Sequence, residues 1–401
     1  MTTDSARVLV LCTRDWFGSA RLPAALTRAG FRVASLGFPG ALITHSGYVS
    51  TQFPLPLAGS DAELLAAVER ALGTFQPALV IPGDDPAVEL LHALSAQLST
   101  RSDSGEELAR CLTRSLGDPR HYRKVQSRRE LHALAVELGL RVPEQAVVAN
   151  LEQALQFAET HGFPVILKAE NTCAGYGTSI CRDSSALAAG FAYFDARFGA
   201  RSLAASVLTV QRFITGRTAM RAVSACEGEV LGGLSAYKLE THPAPTGPST
   251  VVEFFENAEM ERSVAGVTSA FQLSGFASFD FMIESEGGAA YLIELNPRPT
   301  PICHLGGAFG DDLCGALWQR LTGSAPTSVS PRADGRKVVL FPQEWVRTAN
   351  SPYFRQAFHD VPWDEPQLLR TLTAMGVEQM GWTHTRREET RRESLRALAV
   401  R

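Results

Sequence analysis

Apolar and polar positions along this chain alternate between two periods. Residues 7–12 (RVLVLC) form a short apolar run, which predicts a buried strand, and Thr13 to Gly18 supply turn residues after it. Leu22, Ala25, Leu26 and Ala29 then recur at helical spacing as far as Gly30, and residues 31–36 (FRVASL) read as a second strand. A helix over Asp61 to Leu72, a strand over Ala78 to Ile81, the turn Pro82-Gly83-Asp84-Asp85 and a further helix continue the series. Strands alternating with helices predict a parallel, Rossmann-like sheet. No GxGxxG follows the first strand, which counts against a dinucleotide site. Ligands of such sheets sit beyond the C-terminal ends of the strands. Thr13 to Ser19 and Gly83 to Asp85 are therefore either ordinary βα turns or one edge of a substrate site.

The polar stretch Arg101 to Glu107 reads as a loop, and Gly117-Asp118-Pro119 marks a boundary. Beyond it the pattern gives a helix over 127–138, a second over 151–161, and then strands that carry polar side chains. A strand at 336–341 (RKVVLF), a Pro-interrupted segment, a helix over 366–375 and a tail with Glu388 and Arg392 at helical spacing close the chain. The tail mixes both signs of charge and reads as a solvated helix.

Composition narrows the class. At 401 residues the chain has room for two or three domains, and 45% hydrophobic with 20% charged residues is ordinary for a globular protein. A net charge of -4 exerts no overall pull on nucleic acid or an anionic membrane. The first apolar run is too short for a signal peptide, and no stretch approaches the roughly 18 apolar residues of a membrane helix. The seven cysteines are scattered without a CxxC pair, which predicts free thiols and a cytoplasmic protein.

Three segments carry candidate chemistry. In Gly162 to Lys168 (GFPVILK) a strand ends in a lysine, and a loop with Gly175 and Gly177 follows. A strand fixes the cation, and glycines let backbone N–H groups approach phosphate oxygens. A lysine beside a glycine turn is also a common structural arrangement. In Val210 to Gly216 (VQRFITG) a strand runs into a connector whose Gln211, Phe213 and Ile214 suit the apolar faces and polar edge of an adenine ring, or simply an edge strand and turn. Residues 276–299 (FASFDFMIESEGGAAYLIELNPRP) read as a hairpin turning at Glu286-Gly287-Gly288. Strand alternation puts Glu294 and Asn296 on one face, and Asp280 can meet them from the other strand, although sequence does not fix the register. Two carboxylates and an amide oxygen suit a hard cation such as Mg²⁺. Arg298 points the same way, where a guanidinium can clamp a phosphoryl group.

With these segments in this order, the chain resembles the ATP-grasp ligases, a superfamily that includes D-alanine–D-alanine ligase, biotin carboxylase and the carbamoyl phosphate synthetase large chain. The resemblance covers roughly residues 1–325. It implies an α/β and α+β chain with a Rossmann-like preATP-grasp domain (1–118), a two-lobed ATP-grasp domain (119–325, lobes 119–208 and 209–325) and a small C-terminal segment (326–401). By position it implies that Lys168 contacts the ATP phosphates, that Gly175 and Gly177 lie in the loop covering them, and that Gln211, Phe213 and Ile214 hold the adenine. Thr218 falls where a ribose-binding glutamate is common, and Ala169 and Ala174 replace a usual proline and glycine. Either Arg128 or Lys124 supplies the cation of the first lobe. Lys238 matches a basic residue near the γ-phosphate; Asp280, Glu294 and Asn296 match ligands of Mg²⁺ (or Mn²⁺), and Arg298 the arginine that steadies the phosphorylated intermediate. His304 either faces the acceptor or is structural.

The resemblance further implies an ATP- and Mg²⁺-dependent ligase that makes an acyl phosphate from a carboxylate for attack by an amine. Its partners are then small molecules, a homodimer stays open, and nucleic acid and membrane have no role. The alternatives are activation of bicarbonate or an enolised ketone, and an ATP-binding regulatory protein without turnover.

Overall fold

In the first strand, β1 (Arg7–Cys12), alternate side chains enter two different cores. Val8, Val10 and Cys12 point to one, and Leu9 and Leu11 to the other. A strand buried on both faces is the signature of a parallel sheet covered on both sides. The computed structural model, which describes residues 6–99, 105–169, 177–196, 208–245, 247–324 and 334–374, builds that sheet in the order β3-β2-β1-β4, all parallel. Its elements are β1, α1 (Phe17–Ala29), β2 (Arg32–Gly37), β3 (Val49–Pro54), α2 (Asp61–Phe75), β4 (Leu79–Pro82), α3 (Asp85–Leu98) and α4 (Glu106–Leu116). The expected strands and helices are all present; β3 is additional. The stretch expected as a loop is helical from Glu106 onward, because Cys111, Leu112, Ser115 and Leu116 form a buried stripe at helical spacing.

Local chemistry sets the ends of these helices. Ser60 and Glu63 form a reciprocal capping box at the start of α2. At the end of α1, Gly30 has φ +116, and a Cβ there would lie 2.6 Å from the Trp318 indole, so glycine serves both the left-handed turn and the packing.

The chain continues through α5 (Tyr122–Val125), α6 (Arg128–Glu137), β5 (Gln145–Val148), α7 (Leu151–His161), β6 (Val165–Ala169), β7 (Thr178–Cys181), α8 (Ser184–Phe194) and β8 (Leu208–Arg212). Four of these strands form an antiparallel sheet in the order β5-β8-β6-β7. Next come β9 (Gly216–Cys226), β10 (Glu229–Thr241), β11 (Ser249–Phe254), α9 (Ala258–Ala270), β12 (Gly275–Glu284), β13 (Ala290–Asn296), α10 (Gly306–Phe309) and α11 (Leu313–Thr322). Last are β14 (Lys337–Leu340), α12 (Gln343–Arg347), β15 (Phe358–Asp360) and α13 (Pro366–Ala374). The helix expected around Glu388 and Arg392 lies outside the described residues.

A seven-stranded sheet, in the order β13-β12-β9-β10-β11-β14-β15, joins the parts. One face buries Phe279 and Phe281 against Leu131 of α6 and Val264 and Val267 of α9. The other face places Met220, Ala222 and Phe276 in a core shared with β1, Leu22 and Leu26 of α1 and Leu313 and Leu317 of α11. The same apolar cluster thus ties the parallel sheet to the seven-stranded one. The C-terminal strands β14 and β15 extend this sheet, and Leu368 and Leu372 of α13 pack on Phe17 and Ala20 of α1.

A buried polar knot reinforces that closure. Arg21 on α1 donates to Asp360 at 2.9 Å, His304 Nε2 lies 2.8 Å from the other oxygen of Asp360, and Ser46 donates to Glu365, which Arg21 also approaches at 3.6 Å. His304 is thus occupied by Asp360 through one ring nitrogen. Burial alone would push the Asp360 carboxyl up, but the His304 and Arg21 charges outweigh it and hold the group below the usual carboxylate range. A carboxyl depressed in the fold contributes stability above its unfolded value, about 3.9, and loses it as pH falls through the folded value. Asp360→Asn is therefore expected to cost about 3–5 kcal/mol at neutral pH, as for other broken buried pairs. Urea unfolding across pH should show the gap to wild type shrinking below pH ~4, and a gap independent of pH would refute the assignment.

Candidate functional site

The hairpin of β12 and β13 sets the register that sequence left open. Asp280 lies directly opposite Glu294, and Ser278 opposite Asn296. Just past Asp280 the pairing slips, because Phe281 pairs with Leu292 and Ile293 becomes an extra residue. This bulge changes the phase of β13. Leu292 keeps company with Phe281 in the core, whereas Glu294, two residues on, turns to the opposite face with Asp280. Asp280 also lies opposite Met220 of β9, so the cluster shares the face directed at the parallel sheet.

Three basic side chains, from β10, from α6 and from just beyond β13, meet this face. Lys238 on β10 stands 2.8 Å from Asp280. Arg128, the first residue of α6, donates to Glu294 Oε1 from NH2 at 2.7 Å and from Nε at 3.1 Å, and to the Ala169 carbonyl at 3.3 Å. Arg298 forks onto Asp85 through bonds of 2.6 and 3.1 Å, with Asn296 Oδ1 at 3.5 Å from its NH2. Of the two cations weighed for the first lobe, Arg128 is the one drawn in; Lys124 is exposed on α5.

The sequence pattern marks Asp85 only as part of the Gly83 to Asp85 turn. It opens α3 at the C-terminal edge of the parallel sheet, where such folds bind ligands. Its neighbour Asp84 has a different task. Buried, it caps Ala87 N–H and accepts from Thr13 N and Oγ1 (2.7 and 2.6 Å) and from Arg14 N (2.9 Å), so it welds the β1 turn to the β4 turn. Burial raises its carboxyl above the usual range despite the opposing hydrogen bonds from Thr13 and Ala87.

A cleft opens between the four-stranded sheet and β13. Its walls include Arg128 and His132 of α6, Lys168 and Ala169 of β6, Thr209 and Gln211 of β8, Gln145 of β5, and Leu292 and Ile293. Lys168 Nζ donates to Gln211 Oε1 at 2.7 Å, and Gln211 Nε2 donates to Gln145 Oε1 at 3.1 Å. A polar rim thus faces an apolar wall. Phe213, Ile214, Thr218 and Gly177 are outside this lining, and Gly175 lies outside the described residues. Gln145 and His132 were not identified from sequence, since a four-residue strand and a lone helical histidine carry no pattern of their own.

Among the described residues, no group of three or more His, Cys, Asp or Glu side chains is placed to hold a metal ion. The donor set here is instead two carboxylates and an amide oxygen on one face, all hard oxygen donors of the kind Mg²⁺ takes together with phosphate oxygens and water. Among the described residues, too, no helix is long and apolar enough to cross a membrane.

Known proteins share part of this chain's sequence and its fold. The family profile of the carbamoyl-phosphate synthase L chain ATP-binding domain matches residues 126–229. The carbamoyl phosphate synthase large chain of Rubrobacter xylanophilus is 25% identical over 336 residues, a match covering 77% of this chain and 30% of that one. The chain therefore spans under a third of the length of this curated relative. The biotin carboxylase domain of Hydrogenobacter thermophilus 2-oxoglutarate carboxylase, solved with MgADP, ADP and bicarbonate, superimposes with a TM-score of 0.59 at 14% identity, over 83% of this chain and 73% of that one. The L-amino acid ligase of Bacillus licheniformis gives 0.54 at 17% identity, over 80% and 75%. The chain has the fold of these proteins, and its resemblance to the ATP-grasp ligases is borne out.

The Arg298–Asp85 fork links the end of the hairpin to the start of α3 at the edge of the parallel sheet. A double-mutant cycle of Asp85→Asn and Arg298→Lys, read by denaturant unfolding, is expected to give a coupling of about 0.5–3 kcal/mol; additive single-mutant losses would show that the fork carries no interaction.

Proposed function

We propose that this chain is an ATP- and Mg²⁺-dependent ligase that activates a carboxylate as an acyl phosphate and passes the acyl group to an amine. The reading rests above all on one observation, the meeting of Lys238 from β10, Arg128 from α6 and Arg298, two residues beyond β13, with Asp280, Glu294 and Asn296. A phosphate chain needs that mixture of cations and metal-binding oxygens, and transfer of its terminal group is catalysed mainly by positioning and charge neutralisation.

In this reading the adenine lies in the cleft between Gln211 and Gln145 on one side and Leu292 and Ile293 on the other, with Lys168 and Arg128 toward the phosphates. Phe213 and Ile214 from the connector and Thr218 from β9 then flank the base and ribose. Asp280, Glu294 and Asn296 would hold Mg²⁺, which supplies charge neutralisation for the phosphate oxygens. A carboxylate oxygen attacks the γ-phosphorus, the bond to the β-phosphate oxygen breaks, and ADP leaves. Lys238 and Arg298 balance the charge that builds on the transferred group. The amine nitrogen then attacks the acyl carbon, the carbon–oxygen bond to phosphate breaks, and the nitrogen loses a proton. The products are an amide, ADP and phosphate.

Residues 1–118, 119–325 and 326–401 correspond in this account to the preceding domain, the ATP-grasp domain and a C-terminal segment. Activation of bicarbonate in place of an organic acid is the second reading, supported by the bicarbonate held by the Hydrogenobacter neighbour. Glu294→Gln is expected to leave the fold intact and to abolish ADP formation that depends on added acid and amine, measured with a coupled ADP assay and product mass. Normal turnover by that variant would remove Glu294 from the reaction, and ADP formation with bicarbonate alone would favour the second reading.

A further inference from the structure

Strand β10 carries a second cavity on its free edge. β11 pairs with β10 only from Ala236 onward, where Ala236 meets Phe254. Ahead of that point the Gly233 N–H donates to Asp311 Oδ2 at 3.0 Å instead of to a strand. A cavity of about 260 Å³ lies along this edge. Its central feature is Arg221, a charged side chain only 8% exposed. The guanidinium lies across Gly233, where a Cβ would come within 2.5 Å of it, so a side chain at 233 would displace it. It donates to Ser235 Oγ at 2.8 Å and stands 3.4 Å from Glu261.

Both signs of charge face the same space. Arg221 shares the lining with the acidic residues Glu256, Glu261, Asp311 and Asp334, and with Phe254 and Phe255 as apolar wall. The acids outnumber the one lining arginine, which disfavours a phosphate or a simple carboxylate. The guanidinium in turn repels a bare metal ion. A molecule with a carboxylate for Arg221, an ammonium for the acids and an apolar body satisfies all three walls. Arg221 lies opposite Phe279, next in sequence to Asp280, so it projects from the other face of the sheet. The cavity is therefore separate from the Asp280 cluster.

We propose that this cavity binds a free α-amino acid as its zwitterion. The proposal does not rest on the ligase reading, because it requires neither nucleotide nor turnover. The test uses the full chain without ATP or Mg²⁺. A thermal-shift screen of the common amino acids selects the best binder, and calorimetry then compares it with its decarboxylated amine and its deaminated acid. Saturable binding of the amino acid is expected, with each analogue weaker by roughly tenfold or more, the worth of one charged hydrogen bond. Glu256→Gln and Arg221→Met should each weaken the amino acid by a similar factor, and Asp280→Asn should not change it. Should Arg221→Met fail to fold, Asp311→Asn takes its place. The proposal is overturned if no amino acid binds, if the amine or the acid binds equally well, or if Asp280→Asn abolishes binding while the cavity variants keep it.

Discussion

Two carboxylates facing each other across a strand pair are the constraint around which this molecule is organised. Asp280 and Glu294 occupy directly opposed positions on β12 and β13, where like charges repel at short range. The surrounding core is strongly apolar, and the two side chains keep only 21% and 27% of their surface exposed. Compensation comes from outside the hairpin: Lys238 from β10 for Asp280 and Arg128 from the start of α6 for Glu294. A third cation, Arg298, leaves β13 and reaches the parallel sheet at Asp85. Satisfying one local repulsion thus brings β10 and the start of α6 to one face, and a cleft forms beside it.

The rest of the architecture keeps those recruits in place. The bulge at Ile293 allows one short strand to feed the core with Leu292 and the polar face with Glu294. Asp84 fastens the first and last turns of the parallel sheet and leaves its neighbour Asp85 for the arginine fork. The C-terminal strands extend the central sheet, while Asp360 ties Arg21 of α1 to His304 just beyond the hairpin. Rigid support of this kind is what a phosphoryl-transfer site needs, since its catalysis depends on positions held before the reaction starts.

Much of this was legible along the chain because it is local. Alternating apolar runs announced the parallel sheet, and Glu286-Gly287-Gly288 between two apolar strands announced the hairpin. The residues Asp280, Glu294, Asn296 and Arg298 stood out as polar positions in apolar surroundings. Non-local features were not legible. A strand's pattern does not tell that Ile293 will be an extra residue, because the slip is decided by packing on the partner strand. Asp85, Gln145 and Arg221 owe their surroundings to contacts with residues far away in sequence. The C-terminal strands carry no local sign of their place, since nothing in RKVVLF names the sheet it will join.

The central claim is that the Asp280, Glu294 and Asn296 face holds a divalent cation together with nucleotide phosphates. The most direct measurement is a Mn²⁺ titration followed by electron paramagnetic resonance in the presence of ADP, with wild type beside Asp280→Asn. The account predicts that the wild type withdraws Mn²⁺ from the free signal with one-site saturation and that the variant does so at least about tenfold more weakly, the loss of one charged ligand contact. Equal Mn²⁺ binding by the two proteins would contradict it.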